Sequence, residues 1–112
     1  MINSPTGVVE AAFEYYGSQN RDAALALYAD DFSFTSPQDD HIDKATFFER
    51  CFPTADRFKE QRLLRVTPAD EELVFVYYEY ELTTGGRHRN IEAITVRDGL
   101  IREVQVFFGG KV

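Results

Sequence analysis

Two parts of this sequence carry side chains that can move a proton. The segment SPQDDHID, Ser36 to Asp43, contains three aspartates and one of the two histidines of the chain. The other is a lone glutamate, Glu92, within the otherwise apolar pattern of HRNIEAITV. A carboxylate held on an apolar face loses hydration, which raises its pKa and suits it to acid–base chemistry near neutral pH.

A metal site in SPQDDHID is not expected. Adjacent side chains point in different directions, and the spacing lacks both the alternating carboxylates of a calcium loop and the paired histidines of a zinc helix. Asp43 is instead expected to cap a helix, with Asp39 or Asp40 closing the turn after Pro37. The alternative left open is that Asp40 or His41 reaches over a pocket mouth as an acid–base or binding group.

The N-terminal half predicts helices separated by one short strand. Ser4 and Asn20 can cap the first two helices, and FSFTS alternates as a strand that Pro37 ends. Pro53 is expected to stop the third helix, whose apolar face includes Phe48 and Cys51. The expected helices are Pro5–Gly17, Arg21–Tyr28 and Lys44–Phe52, and the strand is Phe32–Ser36.

The C-terminal half predicts a β-meander. TTGGR and RDG have the composition of hairpin turns, and LVFVYYEYELTT gives the strongest strand pattern in the chain. The expected fold is α+β, with three N-terminal helices on one face of a curved antiparallel sheet, in a single domain of residues 1–112. The expected strands are Lys59–Thr67, Leu73–Thr84, His88–Val96 and Leu100–Phe108.

The RDG turn decides which side chains face inward. A three-residue turn with Gly99 in a left-handed bulge position places Val96 opposite Leu100 and Glu92 opposite Val104. A two-residue turn would shift the register by one and move every later side chain to the other face. The first register is favoured because it gathers Val104, Val106 and Phe108 on one face. The inward face is then an apolar bowl with a few polar groups, as in small-molecule pockets. The expected inward side chains are His88, Asn90, Glu92, Ile94, Val96, Val104, Val106 and Phe108, with Val74, Val76, Tyr78, Tyr80 and Leu82 from the longest strand.

Glu92 is the main catalytic candidate on this face. Its alternative role is structural, as a carboxylate that holds the sheet together through a buried Tyr or Arg. Cys51 is expected in the core, because a thiolate is disfavoured among phenylalanines. Tyr16 lies on the apolar face of the first helix, where its hydroxyl is expected either in the core or against a ligand.

Composition excludes several classes of protein. Nineteen acidic and twelve basic residues give a net charge of −7, which disfavours binding to nucleic acid or to an anionic membrane. The single Cys51 cannot form an internal disulfide, and the sequence shows no signal peptide or membrane span, so a cytoplasmic protein is expected. No Gly-rich phosphate loop, Ser nucleophile elbow or CxxC occurs, and no metal or cofactor is expected.

The chain resembles the nuclear transport factor 2-like superfamily in three segments, which are YADDFSFTSP, DDHIDKATFFERCFP and RNIEAITVRDGLIREVQVFFGG. More narrowly, the chain is similar to the SnoaL-like branch, relatives of ketosteroid isomerases and polyketide cyclases, from about Pro5 to Gly110. The resemblance implies a cone-shaped fold, with a bent sheet around a long helix and a pocket at the open end. It also implies a homodimer through the outer sheet face, which suits the expected outward positions of Ile91, Ala93, Ile101 and Phe107.

The ketosteroid isomerase pattern implied by this resemblance matches the chain at one position. Ser36 stands where that pattern has the aspartate base before a proline, and Phe13 falls near the place of its first-helix tyrosine. Glu92 matches its second acid. The candidate catalytic residues are therefore Glu92, Asp40 and His41, and the candidate ligand contacts are Tyr16, Phe34, Ser36, Phe48, Tyr78, Tyr80, Asn90, Val104 and Phe108.

Three functions remain open from the sequence. The first is a cofactor-independent isomerase, cyclase, dehydratase or hydrolase that acts by proton transfer on a small apolar molecule. Glu92 would be its acid or base, with Tyr78 or Tyr16 as hydrogen-bond donor and Asn90 as positioning group. The others are a non-catalytic ligand-binding module, and a dimeric interaction domain whose pocket is filled by its own side chains.

Overall fold

Three α-helices and a six-stranded mixed sheet form the fold, which a computed structural model describes for residues 4–112. This confirms the predicted α+β class. The helices are α1 (Pro5–Ser18), α2 (Arg21–Leu25) and α3 (Lys44–Arg50), and a 3₁₀-helix follows at Phe52–Arg57. The strands are β1 (Tyr28–Ser36), β2 (Asp39–Asp43), β3 (Phe58–Pro68), β4 (Leu73–Leu82), β5 (Arg87–Arg97) and β6 (Leu100–Lys111).

Each α-helix begins at a side chain that accepts a hydrogen bond from a backbone N–H three residues later. The distances are 3.1 Å at Ser4, 3.4 Å at Asn20 and 2.9 Å at Asp43. These bonds satisfy donors that the first helical turn leaves free. The predicted N-cap role of Asp43 is confirmed, and the bonds from the following turn hold the pKa of its carboxyl below the ordinary value.

Several predicted bounds were wrong. The second helix ends at Leu25 rather than Tyr28, because Tyr28 already pairs with Ile101 as the first residue of β1. The segment DDHID, predicted as a turn and helix entrance, is strand β2, which pairs with the end of β1. The third helix ends at Arg50 rather than Phe52, and Pro53 lies in the first turn of the 3₁₀-helix.

The order of strands in the sheet is β2-β1-β6-β5-β4-β3. Neighbouring strands are antiparallel except β1 and β6, which pair in parallel from Tyr28↔Ile101 to Thr35↔Gln105. The first strand therefore enters the sheet beside the last one. This arrangement places side chains from the two ends of the chain on one concave face.

The turn between β5 and β6 differs from the predicted one. Asp98 and Gly99 have φ values of 55° and 75°, which makes a two-residue turn with Arg97 opposite Leu100. The predicted three-residue turn and the pairing of Glu92 with Val104 were wrong, since Glu92 pairs with Val106.

The inward face nevertheless contains most of the predicted side chains. A bulge at Arg102, between Ile101 and Glu103, shifts β6 by one residue, so that Val104 pairs with Ile94 and Val106 with Glu92. Ile101, predicted to face outward, pairs with Val96 and is 1% exposed. The shorter turn and the inserted residue each shift the pairing by one, so together they return the side chains to the predicted face although their partners differ from the predicted ones by two residues.

The core lies between the concave face of the sheet and the helices. Val8 and Val9 of α1 are fully buried against it, and Phe48 of α3 stacks on Phe52 with ring centroids 5.1 Å apart. Within residues 4–112, every helix is too short or too polar to cross a lipid bilayer.

Candidate functional site

The concave face of the sheet, α1 and the segment after α3 surround a cavity of about 380 Å³. Most of its lining is aromatic or aliphatic, with polar side chains at the bottom and at the mouth. The exposed lining residues Gln38, Arg50, Arg57 and Phe108 mark the mouth. A cavity with this volume and composition suits a small, largely apolar molecule.

Glu92 lies in the wall of this cavity at the end of a chain of hydrogen bonds. The Tyr78 hydroxyl donates to Glu92 Oε2 at 2.6 Å, and Asn90 Nδ2 donates to the Tyr78 oxygen at 3.2 Å. Because β4 and β5 pair Tyr78 directly with Asn90, and Glu92 follows two residues later on the same face, the three side chains are neighbours by register. The second carboxylate oxygen, Oε1, makes no hydrogen bond to any residue in 4–112 and borders the cavity with the rest of the side chain.

The surroundings of Glu92 favour its neutral form. Burial raises the pKa of the carboxyl from 4.5 to about 7, although the hydrogen bond from Tyr78 acts in the opposite direction. No Lys, Arg or His within residues 4–112 forms an ion pair with Glu92. Close to neutral pH, such a carboxyl is present in both protonation states, as a general acid or base requires.

In the Asn90 side-chain amide, the nitrogen makes a hydrogen bond and the oxygen makes none within the described chain. The residue is 5% exposed, and its Oδ1 atom is buried without a hydrogen-bond partner in the described chain. An unpaired buried carbonyl oxygen lowers the stability of the fold, so its presence beside the cavity favours a role for the Asn90 amide in binding a ligand. Its Nδ2 atom supports the Tyr78 hydroxyl, which in turn points its proton at Glu92.

Tyr16 of α1 enters the cavity from the opposite side. Its hydroxyl lies 2.8 Å from Thr54 Oγ1, which itself donates to the carbonyl of Cys51 at 2.7 Å. The only proton of the threonine is therefore used, and Tyr16 must be the donor of the first bond. Burial raises the pKa of Tyr16 to about 12, and it raises the pKa of the Cys51 thiol to about 11, which makes that cysteine a poor nucleophile.

Tyr28 is a cavity residue that the sequence analysis missed. It borders the cavity from β1, and its ring packs against Phe32, Phe47 and Phe48 with centroid distances of 4.9, 5.5 and 5.2 Å. The sequence pattern had placed it at the end of a helix. A β-strand pairing with Ile101 carries it into the cavity instead, and local periodicity contains no signal for that long-range contact.

Most of the predicted ligand contacts do border this cavity. Phe48 does not: it is 2% exposed and lies in the core behind the lining. Phe13, which the resemblance placed near the family's first-helix tyrosine, borders the cavity and packs edge-on against Tyr78 at 5.3 Å. The structure brings together, around Glu92, the predicted residues Tyr16, Phe34, Ser36, Tyr78, Tyr80, Asn90, Val104 and Phe108.

Asp40 and His41 lie outside the cavity. Their side chains are 93% and 62% exposed, and they contact each other, with Asp40 Oδ1 2.6 Å from His41 Nδ1. Strand β2 instead turns Asp39 toward the mouth, where it forms a salt bridge of 3.1 Å with Arg50. The segment Ser36 to Asp43 thus contributes Ser36, Gln38 and Asp39 to the cavity lining, though neither of the predicted catalytic residues Asp40 and His41.

No group of three or more His, Cys, Asp and Glu side chains in residues 4–112 is arranged to hold a metal ion. The polar side chains that border the cavity are the carboxyl of Glu92, the amides of Asn90 and Gln61, several hydroxyls and the Cys51 thiol, with Gln38, Asp39, Arg50 and Arg57 at the mouth. These groups can bind a polar atom of a small molecule and exchange a proton with it.

Comparison with known proteins gives a family and a fold. A family model described as a SnoaL-like domain matches residues 9–104. No match was found among the curated proteins. A nuclear transport factor 2-like protein of unknown function from Cytophaga hutchinsonii is similar in structure, with a TM-score of 0.72, 17% identity, and coverage of 91% of this chain and 87% of that one.

Two further solved structures carry functional descriptions. A candidate ketosteroid isomerase from Kribbella flavida has a TM-score of 0.78 and 18% identity, covering 96% of this chain and 78% of that one. An LEH-like epoxide hydrolase from M. tuberculosis has a TM-score of 0.75 and 17% identity, and the match covers 94% of this chain and 82% of that one. At these identities the likeness shows the shared fold alone.

Proposed function

The chain belongs to the SnoaL-like domain family, and on that premise we propose that it is a cofactor-independent enzyme that transfers a proton within a small apolar molecule. Glu92 is the proton acceptor and donor. The apolar cavity binds the body of the substrate, and the hydrogen-bond chain from Asn90 through Tyr78 holds Glu92 in place. The observation that carries the proposal is an enclosed carboxyl with a pKa of about 7 in the wall of an apolar cavity.

Isomerisation is the reaction class that these groups support best. A single base can remove a proton from one carbon and return it to another, so a shift of a double bond requires only one carboxylate. Hydrolysis requires in addition a group that positions water and one that protonates the leaving oxygen. Glu92 is the one carboxyl that the described residues place deep in the cavity, whereas Asp39 at the mouth is paired with Arg50.

Proton exchange tests this proposal without a known product. The protein would be incubated in D₂O with a panel of cyclic ketones and α,β-unsaturated ketones, and deuterium uptake would be followed by mass spectrometry. We expect uptake that rises with pH and levels off above about pH 7, as the carboxylate form of Glu92 becomes populated.

Two variants decide whether Glu92 is responsible. Glu92→Gln should lose exchange by at least about 10²-fold, since a general base commonly contributes that much. Glu60→Gln, an exposed glutamate on β3, is the matched control and should exchange at the wild-type rate. Exchange that persists unchanged in Glu92→Gln would refute the proposed role.

The second candidate function is non-catalytic ligand binding. One observation favours it: the Tyr78 proton is already donated to Glu92, so this hydroxyl is not free to polarise a substrate. Tight binding of the same ketones, with no deuterium uptake above the rate in buffer, would select this function. The cavity volume argues against the third function considered from the sequence, a pocket filled by its own side chains.

A homodimer through the outer sheet face is the partner that we propose for the chain. Phe75, Ile91 and Phe107 are 44%, 43% and 56% exposed on adjacent strands of this face. A contiguous apolar patch of this kind on a protein of net charge −7 is typical of an interface. Sedimentation analysis should show a dimer that Phe107→Glu converts to a monomer, and a monomeric wild type at all concentrations tested would rule this out.

A further inference from the structure

The acidic and basic side chains that border the cavity leave one positive charge unopposed. They are Asp39, Glu92, Arg50 and Arg57. Asp39 is paired with Arg50 at 3.1 Å and also accepts a hydrogen bond of 3.3 Å from Ser36 Oγ. Glu92 lies deep in the wall, where burial favours its neutral form. Arg57 therefore keeps its positive charge at the mouth, without an ion-pair partner in residues 4–112.

The Arg57 guanidinium has all of its donors available. In the part of the chain that the structure describes, its side chain makes neither a hydrogen bond nor an ion pair. Most other arginines of the chain form salt bridges with Asp or Glu, and Arg21 lies over the ring of Phe48. Water can satisfy an exposed guanidinium, so the significance of Arg57 depends on where the backbone holds it.

The 3₁₀-helix Phe52–Arg57 holds Arg57 over the cavity. Side chains three residues apart in such a helix lie on the same side, and Thr54, three residues before Arg57, also borders the cavity. Both ends of this helix are bound to other elements. Gln19 Nε2, at the end of α1, donates to the carbonyl of its first residue at 2.8 Å, and the Thr83 N–H, after β4, donates to the carbonyl of its last residue at 2.9 Å.

The charge of Arg57 reaches into the cavity. Burial raises the pKa of Tyr16 to about 12 and the pKa of the Cys51 thiol to about 11, and the Arg57 charge opposes this effect at both groups. Tyr16 borders the cavity from α1, and Cys51 borders it from the residue after α3. A guanidinium that acts on both groups lies on the cavity side of its helix. An anion at the mouth would experience the same positive charge.

We propose that Arg57 binds a carboxylate of the ligand, so that the molecule held in the cavity is a small apolar carboxylic acid. The apolar body fills the aromatic interior, and the carboxylate stays at the mouth, where the planar guanidinium fork matches its two oxygens. This assignment rests on the proposed function for the use of the cavity, and it adds the substrate class and a residue that selects it.

The orientation of the ligand follows from the cost of losing water. A carboxylate in the interior would be dehydrated beside the buried carboxyl of Glu92, whereas at the mouth it keeps part of its hydration. The ligand therefore enters with its apolar end first and presents that end to Glu92.

The charges at the mouth favour an anion with a single charge. Arg57 supplies one positive charge, because the other arginine at the mouth, Arg50, is paired with Asp39. A dianion such as a phosphate monoester would lack a second free cation there, and an ammonium group would be repelled. On a protein of net charge −7, a local positive charge also marks the place where an anion can approach.

Binding of matched ligands tests the assignment without turnover. Cinnamate and 3-phenylpropanoate can each be compared with the primary amide and with the amine that has the same apolar body. NMR titrations at pH 7 would give the Kd of each compound for the wild type and for two variants. We expect the wild type to bind each carboxylate about 10-fold more tightly than its amide, because hydrogen bonds between charged groups are stronger than those between neutral ones.

Arg57→Gln and Arg65→Gln form the matched pair of variants. Arg65 is exposed on β3 and lies outside the cavity lining, so its loss changes the net charge equally and leaves the mouth intact. Arg57→Gln should abolish the preference for the carboxylate, whereas Arg65→Gln should keep it. Added salt should weaken the wild-type preference, since the guanidinium is exposed and its charge is screened. Unchanged thermal midpoints would show that both variants are folded.

Each outcome supports or overturns the assignment. Equal binding of carboxylate and amide by the wild type overturns it and leaves the proposed function standing, because the cavity would then accept neutral molecules. A preference that survives in Arg57→Gln, or that is lost equally in Arg65→Gln, also overturns it. A preference that depends on Arg57, combined with no deuterium uptake in the exchange assay, supports the assignment and removes the proton-transfer function. Failure of every compound to bind overturns both.

Charge reversal gives an independent readout. Arg57→Glu should bind cinnamylamine and 3-phenylpropylamine more tightly than the corresponding carboxylates, which reverses the order expected for the wild type. A variant that still prefers the carboxylates would show that another group of the cavity binds them, and this result would overturn the role of Arg57.

Discussion

Replacing Glu92 with glutamine should make the protein more stable, and the gain should grow with pH. Its pKa is about 7 in the folded protein and 4.5 is its ordinary value, so between these limits the folded state binds more protons than the unfolded state. The contribution of the neutral Glu92 carboxyl to the free energy of unfolding is therefore fully present below pH 4.5 and is lost as the pH rises through about 7. Glutamine has nearly the same shape, can accept the Tyr78 hydrogen bond and does not ionise.

The size of the effect follows from the difference between the two pKa values. The linkage relation gives a destabilisation of roughly 1 kcal/mol at pH 5 and roughly 3 kcal/mol at pH 8 for the ionising carboxyl. The stability difference between Glu92→Gln and the wild type should therefore increase by about 2 kcal/mol between these two pH values. Comparing variants at each pH removes the contributions of all other titrating groups.

Urea unfolding at pH 5 and pH 8 measures this difference, with Glu60→Gln as the control that should show no increase. A difference that stays the same at both pH values would mean that Glu92 has an ordinary pKa and is hydrated. A variant that becomes less stable than the wild type as the pH rises would mean that the charged form is stabilised by the fold. Either result would remove the basis for Glu92 as a base poised near neutral pH.

Other perturbations test separate parts of the structure. Tyr78→Phe removes the hydrogen bond that lowers the pKa of Glu92, so a carboxyl ¹³C NMR titration should give a value above about 7, and an unchanged value would exclude that bond. Gly109→Ala places a Cβ 2.5 Å from a carbonyl oxygen of the facing strand and should lower the thermal midpoint, whereas Gly17→Ala, with nothing within 4 Å, should stabilise α1 by up to about 1 kcal/mol. Glu79→Gln removes the negative charge shared by three arginines and should lower the midpoint at pH 7, with the two proteins converging in acid because the pKa of this carboxyl is lowered. A Glu79→Gln midpoint equal to that of the wild type at pH 7 would mean that the cluster adds nothing to stability.

Local chemistry determined much of what could be predicted from the sequence. The caps at Ser4, Asn20 and Asp43 act over three residues, so their chemistry is visible in the sequence itself. The alternation in β4 and β5 likewise reflects which side chains face the core, and it placed Tyr78 and Glu92 on the inward face. These features need no knowledge of distant contacts.

The features that were missed depend on contacts between distant segments. Asp98 and Gly99 favour a two-residue turn, but that turn alone would have turned Val104 outward, and only the bulge at Arg102 reconciles it with the apolar face. The residues around Arg102 contain no sequence pattern that predicts the bulge. Tyr28 is a similar case, because its place in a strand follows from pairing with Ile101 near the other end of the chain.

The parallel pairing of β1 with β6 also affects how the protein is made. Tyr28 leaves the ribosome early, and β1 can pair with β2 soon afterwards, but β6, the strand that joins this pair to the rest of the sheet and pairs with Tyr28, is absent until Ile101 and the residues after it are synthesised. Closing a loop of that length costs entropy before any contact compensates for it, so the cavity forms late in folding. A nascent chain that ends before β6 would expose the phenylalanines that surround Tyr28, and during that interval the apolar cavity wall is a surface for aggregation or chaperone binding.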